Sequence, residues 1–219
     1  MQESELIAKY NINIESLKAE QLKLSKEITL KDSQDFTNIE RIAAVENIII
    51  KNQIISVVIV CDKEFNIIEQ QYFLDKLRFP YLNEFRAYRE LPTMVEAINK
   101  LTESPDIVLI RGEGIMHPRL GMASHLSLSV GIPVIGIADS IFDGSEVSGE
   151  DIVKDKKKVG RILQSKEKSN PLFINPGNKI SIETSFNLIK NMIKLPHKLP
   201  EPLHLAHKYA KEVREELKL

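Results

Sequence analysis

The chain has 219 residues, and its 30 Lys and Arg almost balance its 31 Asp and Glu, leaving a formal net charge of −1. That length fits one domain with a sizeable core, and the near-zero balance excludes a global field drawing the chain to nucleic acid, so any polyanion must meet a local patch. A single cysteine, Cys61, excludes an internal disulfide framework and fits a reducing cytoplasm.

No charged-then-apolar leader follows Met1. The most apolar stretch, 42–61, is interrupted by Glu46, Asn47, Lys51 and Asn52, which predicts two strands around a turn in place of a membrane span. The expectation is a soluble, cytoplasmic, monomeric protein with no membrane partner.

Taken in order, residues 2–29 carry apolar positions at helical spacing (Leu6, Ile7, Tyr10, then Leu17, Leu22, Ile28), predicting one or two amphipathic helices. From Ile42 the period shortens, and the β-rich runs to Leu74, parted at Lys51-Asn52 and Asp62-Lys63, predict an antiparallel meander. Glu90–Leu101 reads as a helix with Pro92 in its first turn. Asp106–Ile110 and Ile132–Ala138 are short all-apolar runs of the kind that form buried parallel strands, side by side, with a helix closing at Gly131 between them. Residues 154–168 are polar and basic, an exposed hairpin or loop, most simply a solvated face and otherwise a phosphate-tracking patch. Two further helices are predicted over 180–192 and 201–219. The whole reads as a single α/β domain over 1–219: an N-terminal helical segment (1–29), then a core (40–210) whose mixed sheet carries helices on both faces.

In such sheets ligands gather at the carboxyl ends of strands. Those ends fall near Glu46, at Arg111 with Glu113, and at Asp139; Glu90 and His207 lie on helices. Carboxylates converging with a histidine are what Mg²⁺-dependent phosphodiester cleavage needs, because the ion takes oxygen ligands and activates water while offsetting phosphate charge. Competing motifs are missing. "RGEGIMHPR" lacks the spacing of a phosphate-binding P-loop, Gly112-x-Gly114 stops short of a dinucleotide fingerprint, and no G-x-S-x-G elbow occurs.

Five stretches in register carry more. "FPYLNEFRAYRELP" (79–92), "IRGEGIMHPRLGMASHL" (110–126), "IPVIGIADS" (132–140), "PLFINPGNKISIETS" (171–185) and "LPEPLHLAHKYA" (199–210) together resemble the endonuclease V family. The resemblance implies a ribonuclease H-like fold. It also implies Mg²⁺-dependent (or Mn²⁺-dependent) cleavage of a DNA or RNA strand at the second phosphodiester 3′ to deoxyinosine or inosine, in repair of deaminated bases. Glu90 then matches the family's catalytic glutamate, His207 its C-terminal histidine, and Glu46 its first metal-binding aspartate, one methylene longer. Tyr81 matches the aromatic wedge that fills the gap left by a displaced base. Gly112, His117 and Arg119 are expected beside it on the nucleic-acid side, and the helix N-terminus after Pro118 is expected to offer N–H groups to phosphate.

The departures are as informative. Arg111 stands where the family has its second metal-binding aspartate, Asp139 where it has a lysine, and Asn83-Glu84 where its wedge loop has Pro-Gly. A guanidinium cannot ligate Mg²⁺. Two answers are open. In a charge swap, Arg111 serves the phosphate while Asp139, Glu46 and Glu113 hold the metal, with Glu90 and His207 completing the catalytic set. In a dead site, Arg111 and Asp139 pair and leave a nucleic-acid-binding scaffold. The survival of Glu46, Glu90 and His207 tilts the sequence toward catalysis.

Overall fold

The computed structural model describes residues 3–218, so the ends of the predicted helices at residues 2 and 219 lie outside it. The meander forms as the alternation dictates. β1 (Ile42–Ile50), β2 (Gln53–Cys61) and β3 (Ile67–Lys76) pair antiparallel, and the β1–β2 turn holds Lys51 at φ 55°. β4 (Ile107–Arg111) runs parallel to β1, with Val45 opposite Ile110, and β5 (Val134–Ala138) runs parallel to β4, with Arg111 opposite Ile137. The two buried parallel strands are therefore neighbours, as their apolar runs predict.

Beyond β5 the sheet continues through strands for which sequence periodicity predicts only the hairpin or loop over 154–168. β9 (Leu172–Asn178) pairs antiparallel with β5, followed by β8 (Lys157–Leu163), β7 (Asp151–Lys154) and β6 (Ser145–Ser148), giving the order β3-β2-β1-β4-β5-β9-β8-β7-β6. Pro176 and Gly177 hid β9. The register skips Gly177 (Val134 faces Asn178, Ile135 faces Pro176), and a bulge is where a strand tolerates these residues.

Alternation along the central strands sorts two apolar layers. Ala44, Ile59, Ile107, Leu109, Ile135 and Ile137 pack with α5 (Ile182–Asn191) and α6 (Glu201–Glu216). Val45, Val58, Val108, Ile110 and Val134 pack with α3 (Arg86–Asn99) and α4 (Met122–Val130). Gly131 ends α4 at φ 76°, a left-handed cap that glycine adopts without strain.

Three expectations need correction. α3 begins four residues before the predicted start, so Pro92 sits inside the helix, where its missing N–H leaves the Tyr88 carbonyl without a helical donor. The N-terminal helices, α1 (Glu3–Lys9) and α2 (Ile14–Leu24), do not bury the predicted apolar face: α1 buries nothing, α2 buries only Gln21, and Leu22 stays exposed. The basic hairpin forms, but Lys154 turns inward and donates to the carbonyls of Ile115 (3.2 Å) and His117 (2.5 Å). Among the described residues no helix is long and apolar enough to cross a membrane.

Candidate functional site

The carboxyl ends of β1, β4 and β5 open onto a cleft of about 400 Å³, lined by Glu46, Tyr81, Glu90, Arg111, Glu113 and Asp139 among others. A larger cavity of about 700 Å³ lies elsewhere, between residues 32–42 and α5. Two of its carboxylates are spent on local caps: Asp32 accepts from Ser181 N and Thr184 Oγ1, and Asp35 from Thr37 and Asn38. The candidate site is the smaller cleft, where the predicted residues gather.

β1 delivers two consecutive side chains to opposite faces of the sheet. Glu46 points toward α6, where its Oε1 lies 3.3 Å from His207 Nδ1. Burial pushes its carboxyl above the ordinary range, against the opposing pull of Arg111 and His207. Asn47 points toward α3 and donates to Glu90 Oε2 at 3.0 Å. Glu90, only 6% exposed, also accepts from Arg86 Nε (2.8 Å) and Nη2 (3.3 Å) one helical turn away. Ser56 fixes Asn47 from β2, donating to its Oδ1 at 2.6 Å, and lies 2.7 Å from Thr93 Oγ1. Three donors, from Arg86 and Asn47, hold both oxygens of Glu90.

Arg111 and Asp139 leave neighbouring parallel strands and form a direct ion pair through Nη2 and Oδ2. Lys198, in the loop before α6, reaches the other carboxylate oxygen at 3.2 Å. Desolvation acts to raise the Asp139 carboxyl, but Arg111 and Lys198 outweigh it and hold it below the usual range. A divalent cation needs converging oxygen ligands free of competing cations. Here Asp139 serves two cations and Glu90 serves Arg86, and no three His, Cys, Asp or Glu side chains among the described residues form a metal-holding group. As arranged, this donor set does not fit the metal.

The Gly114–Arg119 loop also differs from expectation. Gly114 packs on β9: its N–H donates to Asn175 Oδ1, and a Cβ there would sit 2.0 Å from the Pro176 carbonyl oxygen. His117, expected to face nucleic acid, is 3% exposed, with Nδ1 accepting from the N–H groups of Arg119 and Leu120, both at 3.1 Å. Arg119 is likewise committed, pairing with Glu84 and donating to Gln21 Oε1 at 2.7 Å. Glu84 therefore does not project as a free charge into the wedge loop, and Gln21 clamps the same loop by donating to the Glu84 carbonyl at 2.9 Å. In the helix after Pro118 one N-terminal donor is already spent, Ala123 N donating to Glu113 O at 2.8 Å. Gly112 does line the cleft.

The His117 arrangement carries a measurable consequence. Burial, then the charges of Arg119 and Lys154, lowers its pKa from 6.5 to about 4. A depressed folded pKa means that the unfolded chain binds the proton first, so stability is lost as pH falls from about 6.5 toward 4, by up to about 3 kcal/mol. Urea unfolding at pH 7 and pH 4.5 should differ more for the natural chain than for His117→Gln; equal differences would remove His117 as the cause.

Sequence reasoning missed Asn47, Arg86, Lys198, Gln21 and Asn175. Arg86 alone had a local signal, lying four residues before Glu90. Tyr81 stands where predicted: 56% exposed at the cleft, between buried Pro80 and Leu82.

Comparison with known proteins agrees with this architecture. The family model for endonuclease V matches residues 22–208. Endonuclease V of Thermosipho melanesiensis is 37% identical over 206 residues, spanning 89% of this chain and 90% of that protein. That of Dictyoglomus thermophilum is 35% identical, spanning 88% and 89%. The crystal structure of endonuclease V from Bacillus subtilis superposes with a TM-score of 0.85 at 27% identity, covering 95% of each chain. Endonuclease V of Ciona intestinalis, solved in complex with a 24mer DNA containing an inosine followed by a ribo-adenosine, superposes with a TM-score of 0.82 at 22% identity, covering 98% and 99%. With its ribonuclease H-like sheet and these relatives along most of its length, the chain belongs to the endonuclease V family.

Proposed function

We propose that this chain is a nucleic-acid-binding member of the endonuclease V family that engages a strand at a displaced base, inosine first among candidates, without cutting it. The observation that carries this reading is the Arg111–Asp139 ion pair, which puts a cation where a metal-holding carboxylate is needed and occupies the carboxylate beside it. Binding is supported by Tyr81, an exposed aromatic lining the same cleft as Arg111, and by the inosine-containing DNA held by the Ciona intestinalis relative. A stacking aromatic tolerates either DNA or RNA.

A second reading is favoured by a specific observation: Glu46 and Glu90 line the cleft, and His207 lies 3.3 Å from Glu46. In that reading Asp139 and Arg111 have exchanged the roles of carboxylate and cation, Glu46 and Asp139 with Glu113 hold Mg²⁺ or Mn²⁺, and the strand is cleaved. The deciding experiment incubates the protein with inosine-containing DNA and RNA and either metal. Retarded but uncut strand supports the binding reading, and cleavage overturns it in favour of the swap.

Tyr81→Ala is expected to weaken binding to single-stranded or distorted substrate by roughly 1–3 kcal/mol, the usual worth of a base–aromatic stack. Fluorescence anisotropy at fixed salt measures this, and an unchanged affinity would make Tyr81 a packing residue.

A further inference from the structure

We propose that Arg111 and Lys198 form a metal-independent seat for one phosphodiester of the bound strand, with Asp139 as its resident counter-ion. The proposal rests on the binding reading above and specifies which anion the cleft takes.

Both cations converge on one carboxylate, Arg111 on Oδ2 and Lys198 on Oδ1 at 3.2 Å. A guanidinium carries five N–H donors and an ammonium three, far more than two carboxylate oxygens can engage. The trio Arg111, Lys198 and Asp139 therefore carries one net positive charge and spare donors in a fork that matches phosphate geometry. The neighbouring carboxylates do not cancel this equally. Glu90 is neutralised by Arg86 and turned to the α3 face, and Glu46 lies against His207 on the α6 face. Glu113 lines the cleft with Glu46, and both oppose an incoming anion.

The trio is also placed where a strand would pass. Arg111 ends β4, Asp139 follows β5, and exposed Tyr81 lines the same cleft. A base stacked on Tyr81 would bring its flanking backbone across this mouth. The phosphate takes over the donors held by Asp139, which is half-exposed and returns to water. Arg111 thus does directly, with a fixed charge, what a divalent ion does through water and carboxylates: it offsets phosphate charge.

The test uses the full chain and a fluorescent single-stranded oligonucleotide containing one inosine, with EDTA present throughout. Binding should survive the chelator. Arg111→Ala and Lys198→Ala should each weaken it about tenfold, Arg111→Lys by less, and Glu113→Gln should tighten it. Replacing single phosphodiesters by neutral methylphosphonates should identify one linkage whose loss costs the natural protein about tenfold and costs Arg111→Ala nothing further. Additive effects at every linkage, or binding that needs a divalent ion, would overturn the seat. If Tyr81→Ala weakens binding while Arg111→Ala does not, the seat fails and the binding reading stands. If the natural chain binds no oligonucleotide, both fail together.

Discussion

The double exchange Arg111→Asp with Asp139→Lys should be the one variant of this pair that gains divalent-metal-dependent cleavage, while the natural chain and both single exchanges leave an inosine-containing strand intact. Charge at two adjacent strand ends decides the outcome. In the natural chain Arg111 neutralises Asp139 through Oδ2, and Lys198 holds its Oδ1. Arg111→Asp alone sets two carboxylates side by side, one still held by Lys198, but leaves no cation on β5 for the phosphate. Asp139→Lys alone gathers three cations with no partner between them, so it should also lower stability. The double exchange returns a carboxylate to the end of β4 beside Glu46 and a cation to the end of β5, with Glu90 and His207 unchanged. Calorimetry with Mg²⁺ or Mn²⁺ should register binding in the double exchange and none in the natural chain. The charge-swap alternative predicts otherwise: the natural chain cuts, Asp139→Ala abolishes cutting, and Arg111→Ala costs a phosphate-stabilising charge, about 3 kcal/mol in rate. Cleavage by the natural chain would therefore sink the closed-site reading at once.

Much of this was legible in the sequence, and the limits have physical causes. The meander and the paired parallel strands follow from strict alternation and all-apolar runs, which few other arrangements satisfy. β9 was missed because Pro176 and Gly177 break that pattern, and only the bulge opposite Val134 reveals why a strand accepts them. At the site, the register of the resemblance put Arg111, Asp139, Glu46, Glu90 and His207 around one cleft, and the fold brings them there. It did not foresee that His117 and Arg119 are consumed internally. Arg119 is pinned by Glu84 and Gln21, 35 and 98 residues away in sequence, while His117 accepts N–H groups only two and three residues on, in a loop turn that has no periodic pattern. Gln21 illustrates the same limit, since helical periodicity scored its apolar neighbours while tertiary structure buried the amide. Charged and polar partners far apart in sequence leave no periodic trace, so pairing is where sequence reading runs out.

Arg86→Ala tests the most tightly built part of the rim. Its guanidinium donates twice to Glu90, from Nε at 2.8 Å and Nη2 at 3.3 Å, and Glu90 is nearly inaccessible to water. Burial alone would lower the Arg86 pKa, yet the hydrogen bond and charge of Glu90 raise it, which means that the pair stabilises the charged form of Arg86 despite partial desolvation. Removing Arg86 leaves a buried carboxylate with Asn47 as its remaining side-chain donor. Breaking one side of a buried pair generally costs about 3–5 kcal/mol, and the 27% side-chain exposure of Arg86 places this case near the lower end. Urea unfolding should therefore lose about 3 kcal/mol at an unchanged denaturant slope. Arg86→Ala with Glu90→Leu should recover most of that loss, because the uncompensated charge, more than the missing attraction, is what destabilises. A loss below about 0.5 kcal/mol in Arg86→Ala, the range of ordinary surface substitutions, would show Glu90 to be solvated from the cleft side. In that case Glu90 would be free to meet a ligand instead of serving the packing of α3 on the sheet.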